Sequence, residues 1–164
     1  MTKPQNRQQT VLTHWQGFHH IALTTPNLDE TVDFYQNLLG MQAGQVLPAA
    51  GRRGRHCFIK PGDSETWGIH FFEHPSAQIF QSSEELKRLA VEPDSAVMFQ
   101  FLPGALQHIA FALPGEEEGL ALRAKLLEHG VVVTDIYDQK SIRNFIFLDN
   151  NGIQLEAAWP KDVS

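Results

Sequence analysis

His19-His20-Ile21-Ala22-Leu23 and Gln107-His108-Ile109-Ala110-Phe111 are two versions of one short string, and their repetition decides the fold. After the first, Leu28, Val32, Tyr35 and Leu39 fall at helical spacing and lead to Gly40, a natural C-terminal cap. After the second, Glu116 to His129 repeats the scheme with Leu120, Leu122, Leu126 and Leu127 before Gly130. Glu116, Glu117 and Glu118 open that helix, where its dipole favours negative charge.

Each helix is followed by strand-like segments. In the first half these run roughly from Gln42 to Leu47, Arg55 to Lys60 and Thr66 to Glu73. In the second they run from Val131 to Tyr137, Asn144 to Leu148 and Ile153 to Ala158, with Asp149-Asn150-Asn151-Gly152 as a turn between the last two. Both halves read β-α-β-β-β. The expected fold is α+β, with two βαβββ modules forming a curved mixed sheet around a metal site. The expected organisation is a tail over 1–16, a first module over 17–75, a linker with a short helix (Ser83 to Leu89) over 76–104, a second module over 105–160, and a tail over 161–164.

Strand alternation assigns faces. Ile21 and Leu23 point one way; His20, Ala22 and Thr24 point the other. The second copy agrees, with Ile109 and Phe111 opposed to His108, Ala110 and Ala112. The alanines leave room in front of the sheet for a ligand. On the last strand of each module, Ile69 and Phe71 bracket His70, while Ile153 and Leu155 lead to Glu156. His20 and His108 are 88 residues apart, and His70 and Glu156 are 86 apart, so the four form two equivalent pairs. A lone strand histidine is commonly a hydrogen-bonded structural residue. Grouping several ionisable side chains on one face without a compensating ion is costly, which favours a divalent-metal site of His20, His108, Glu156 and His70.

Composition narrows the function. The net charge of −6 argues against nonspecific nucleic-acid binding, which needs a basic face. Cys57 is the only cysteine, which rules out an internal disulfide and a zinc ribbon. No apolar run approaches the roughly 20 residues of a membrane span, and the Gln-rich start has no signal-peptide core. A cytoplasmic protein acting on a small molecule is expected, with neither nucleic acid nor membrane as partner.

The chain resembles the vicinal oxygen chelate superfamily of glyoxalase I, fosfomycin- and bleomycin-resistance proteins and extradiol ring-cleaving dioxygenases. The resemblance runs over roughly Gly17 to Pro75 and Leu106 to Pro160. It rests on His20-Ile21-Ala22-Leu23, Asp33-Phe34-Tyr35, Leu38-Leu39-Gly40-Met41, Gln107 to Phe111, Phe145 to Asp149, Gly152 and Leu155-Glu156. It implies that His20, His108 and Glu156 are metal ligands and that His70 stands where glyoxalase I carries a fourth. It further implies an open-faced metal that chelates two adjacent substrate oxygens, and a homodimer.

Two histidines and a carboxylate suit Fe(II) or Mn(II); a fourth ligand, His70, would favour Zn(II), Ni(II) or Co(II) and Lewis-acid isomerisation. The second half is most similar to hydroquinone-type dioxygenases, in which the position of His19 is also His. The tyrosine those enzymes carry on the penultimate strand is Ile146 here, so His19 and Tyr137 are the expected proton-handling groups. A glyoxalase-like lyase and a non-catalytic, resistance-type binding protein are the alternatives. Arg52, Arg53 and Arg55, with Lys60 nearby, are candidates for an anionic substrate group, and Tyr137 and Arg143 for substrate contact. Trp67 and Trp159 are expected in packing.

Overall fold

The computed structural model describes residues 18–51, 54–63, 68–78 and 106–161. The 1–16 tail, the linker helix at 83–89, Arg52, Arg53 and Trp67 lie outside the described residues. Strands β1 (His20–Thr25), β2 (Gln42–Ala43), β3 (His56–Lys60) and β4 (Gly68–Glu73) form one mixed sheet in the order β1-β4-β3-β2. Strands β5 (Ile109–Ala112), β6 (Tyr137–Asp138), β7 (Ile142–Leu148) and β8 (Gln154–Pro160) form a second, in the order β5-β8-β7-β6. In each, the first strand runs parallel to the last and the others are antiparallel. The two orders are the same, so the repeated string marks a repeated fold.

Helix α1 (Leu28–Asp33) starts at Asn27, whose side chain accepts from the Glu30 amide at 3.2 Å. The expected helix then changes character: Phe34–Leu38 is π-helical, closed by Leu39 N–H to Phe34 O at 3.0 Å. The wider turn turns the consecutive Phe34 and Tyr35 both toward the core. Helix α2 (Glu116–Glu128) buries Leu126 and packs Leu122 on the core, while Leu120 and Leu127 are exposed. Gly40 and Gly130 follow the helical segments with φ of 74° and 70°, the left-handed cap that glycine adopts without strain.

The strands differ in extent from the expected segments. The Gln42 to Leu47 segment is two residues of strand plus a bridge from Leu47 to His56, and Val131 to Tyr137 yields β6 and a bridge from Val133 to Phe147.

One core joins both sheets. It contains Leu28, Tyr35, Ile59, Ile69, Phe71, Leu126, Phe145, Phe147, Leu155 and Trp159, the helix-facing residues of both modules. Trp159 is seated against α2: its indole N–H donates to Glu116 Oε2 at 2.7 Å, and its ring lies so close to Gly119 that a Cβ there would approach it to 2.8 Å. The modules are also sewn together by polar groups. Asn150 and Asn151, in the β7–β8 turn, each donate to Thr31 Oγ1, and Thr25 Oγ1 donates to Asn151 Oδ1 at 3.0 Å. No helix among the described residues is long and apolar enough to cross a membrane.

Candidate metal centre

The opposite sheet faces carry the expected ligands. In the first module, Ala22 pairs with His70 and Phe58 with His70 across three strands. In the second, Ala110 pairs with Glu156 and Ile146 with Glu156. His70 and Glu156 therefore occupy the same place in their modules. Both are buried, each 8% exposed.

The second module holds a close pair of candidate ligands. His108 Nε2 lies 3.1 Å from Glu156 Oε2. His108 Nδ1 is engaged by the side chain of Gln107, which leaves Nε2 as the ring nitrogen on the Glu156 side. An imidazole nitrogen and a carboxylate oxygen at this separation can share a proton or a cation, and both are donor types that suit a divalent ion. The other carboxylate oxygen, Oε1, accepts from Asn144 Nδ2 at 2.9 Å.

The first module holds a histidine cluster. His20 is exposed at the end of β1, and His19 Nδ1 lies 2.8 Å from His20 Nδ1, leaving Nε2 of His20 as the nitrogen for an ion. The rings of His20 and His70 are 5.7 Å apart. His70 is stacked on Phe58 at 3.7 Å, touches Phe72 at 4.0 Å, and has its Nε2 2.9 Å from His56 Nδ1. The sequence reading missed His56, although alternation with Cys57 and Ile59, both buried on the core side, puts it on the His70 face.

Among the described residues, no group of three or more His, Cys, Asp or Glu side chains is gathered to hold a metal ion. Each module presents half of the expected set: His20 with His70, and His108 with Glu156.

The space expected beside the alanines is there. A cleft of about 510 Å³ is bordered by Ala22, Thr24, Phe72 and His74 of the first module and by Asn151 of the second. A smaller cavity of about 200 Å³ lies between β1 and β5, beside His20 and Ala110. Tyr137 stands opposite Asn144 on β6 and so shares the Glu156 face. Ile146 is fully buried next to Glu156 and offers it no hydrogen bond.

Two basic candidates are taken up structurally. Arg55 bonds both oxygens of Asp29, at 3.0 and 3.1 Å, and both of Glu73, at 2.6 and 2.8 Å. The guanidinium holds the Glu73 carboxyl down at about 2, and Glu73 in turn accepts from the Leu28 amide at the start of α1. Arg143 points to the helix side and pairs with Glu116. Lys60 shares the His56 and Phe58 face by alternation.

The sequence profile of the Glyoxalase/Bleomycin resistance protein/Dioxygenase superfamily matches residues 17–157. The chain belongs to this superfamily. Solved structures of similar fold include a glyoxylase/bleomycin resistance protein/dioxygenase domain from Frankia sp. EAN1pec, with a TM-score of 0.66 and 20% identity over 90% of this chain and 100% of that one. The fosfomycin resistance protein FosX of Listeria monocytogenes aligns with a TM-score of 0.59 and 18% identity over 91% and 97% of the two chains. TnmS3, an antibiotic-binding protein from Streptomyces sp. CB03234, aligns with a TM-score of 0.58 and 17% identity over 93% and 100%. No curated protein matches the chain. Members of the superfamily generally use divalent metals, in keeping with the His108–Glu156 donor set.

Proposed function

We propose that this superfamily member is a metal-dependent enzyme acting on a small substrate with two adjacent oxygens, with dioxygenase-like chemistry. The observation that carries the proposal is the His108–Glu156 pair, an imidazole nitrogen 3.1 Å from a carboxylate oxygen. His20 completes a set of two histidines and one carboxylate, which suits Fe(II) or Mn(II). His70 is engaged by His56, which favours three ligands over four.

A bound ion would supply an electrophilic centre for the paired substrate oxygens. The chain's own groups do the rest. His19 fixes the His20 ring, Gln107 fixes that of His108, and Ala22, Ala110 and Ala112 leave open floor beside the ligands. His19 and Tyr137 are the groups offered for proton transfer, since Ile146 cannot serve.

Because the ligands fall into half-sets on two modules, we propose a homodimer in which one chain's first module faces the partner's second. The test is elemental analysis of tag-free protein, then anaerobic loading with Fe(II) and addition of catechol. One ion per site and a new absorption band on catechol addition are expected. Metal retained in full by both His108→Ala and Glu156→Ala would refute the site. Conversion of a methylglyoxal hemithioacetal by the Zn(II) or Ni(II) protein, with no response of the Fe(II) protein to any diol, would replace dioxygenase chemistry with the glyoxalase-like alternative.

A further inference from the structure

We infer that Asn144, aligned by Gln139, is a positioning residue that makes Glu156 a one-oxygen ligand. The inference rests on the metal reading above and goes beyond its ligand list. Asn144 is 1% exposed, on the face of β7 that carries Ile146. Its Nδ2 donates to Glu156 Oε1 at 2.9 Å, and its Oδ1 accepts from Gln139 Nε2 at 3.0 Å. The carboxylate fixes which end of the amide faces it, because only a nitrogen can donate to Oε1, and Gln139 Nε2 holds the Oδ1 left on the other side.

The two oxygens of Glu156 are thereby made unequal. Oε1 is held by a neutral donor, and Oε2 is turned to His108 Nε2. A carboxylate fixed this way binds an ion through Oε2 alone, and a position that a two-oxygen grip would fill stays open. That position matters for a centre that must take both oxygens of a substrate and a further small ligand. Removing the amide leaves Oε1 buried without its donor, a costly state that rotation of the carboxylate relieves. Glu156 would then offer both oxygens.

The test titrates Co(II) into full-length protein without oxygen, following affinity by calorimetry and coordination by the visible bands. Asn144→Ala should lower affinity about 10- to 100-fold, the usual consequence of losing an outer partner of a ligand, and shift the bands. Gln139→Ala should move both readouts the same way but less. Gln139 is exposed, so this variant keeps the inference testable if Asn144→Ala fails to fold. A loss of stability alone would leave the bands unchanged. Wild-type affinity and bands in the folded variants would overturn the inference.

Absence of Co(II) uptake by the wild type would instead sink the metal reading. The clamp is then read on metal-free protein, from the nitrogen-15 signals of the His108 ring at fixed pH. They should differ between wild type and variants if the carboxylate turns, and identical signals would overturn the clamp.

Discussion

The Tyr35 hydroxyl donates to Asp149 Oδ2 at 2.9 Å, joining the π-helical turn of the first module to the β7–β8 turn of the second. Asp149 Oδ1 accepts from the amides of Asn151 and Ile153, both at 2.8 Å. Burial nevertheless dominates, raising the Asp149 carboxyl to about 6 and pushing the Tyr35 phenol well above its ordinary range.

A pH dependence follows from Asp149. Its folded value lies above its unfolded value, so its contribution to stability is full below about 4 and is lost as pH rises through about 6. Between pH 8 and pH 5 it should add about 1 kcal/mol. Asp149→Asn keeps an acceptor for the two amides, and its urea stability should lack this component. An unchanged pH profile in the variant would contradict the assignment.

Arg55 is assigned to structure rather than to substrate. Arg55→Met should lower stability only modestly, because its ion pairs are solvent-exposed and screened. Metal uptake and diol binding should stay at wild-type levels. Selective loss of binding for anionic diols would restore the substrate reading.

Gly119→Ala should destabilise the chain by roughly 1–3 kcal/mol, the usual range for overpacking, since the new methyl group must displace the Trp159 ring. The displacement should also weaken the Trp159–Glu116 bond and change tryptophan fluorescence in the native state. Unchanged melting and emission would refute the close packing.

The divided ligand set predicts complementation between chains. Mixed His20→Ala and Glu156→Ala proteins should regain part of the metal binding that each lacks alone, measured after partial unfolding and refolding together. No recovery, or a monomer by light scattering, would argue against a shared site.

His70→Ala separates three ligands from four. If His70 is only an aromatic neighbour of the site, Fe(II) affinity should change less than threefold, well short of the roughly tenfold that marks even an outer partner. His19→Ala should cut substrate-dependent oxygen uptake sharply. Full uptake would remove His19 from the proton path.

Much of the fold was legible because two signals reinforce each other. The repeated string located β1 and β5, and alternation put His20, His70, His108 and Glu156 on their correct faces. What escaped depends on partners distant in sequence. Arg55 looked like part of a basic loop because Asp29 and Glu73 lie 26 and 18 residues away. Asn144 reads as an ordinary strand residue until β7 and β8 pair and bring it to Glu156. The π-helical turn has no periodic signature in five residues, and β2 and β6 are too short to alternate. The pairing of His20 with His70 and of His108 with Glu156 was visible from their spacing, but the placing of the two pairs on separate sheets was not.

The matching registers of His70 against Ala22 and Glu156 against Ala110 mean that the chain carries its own template. Whatever one module tolerates at that place is a sequence the other backbone can accept, so exchanging the two side chains is the conservative way to redesign the centre. A carboxylate written into the first module and an imidazole into the second would exchange the two donor types between the sheets while each strand keeps its register.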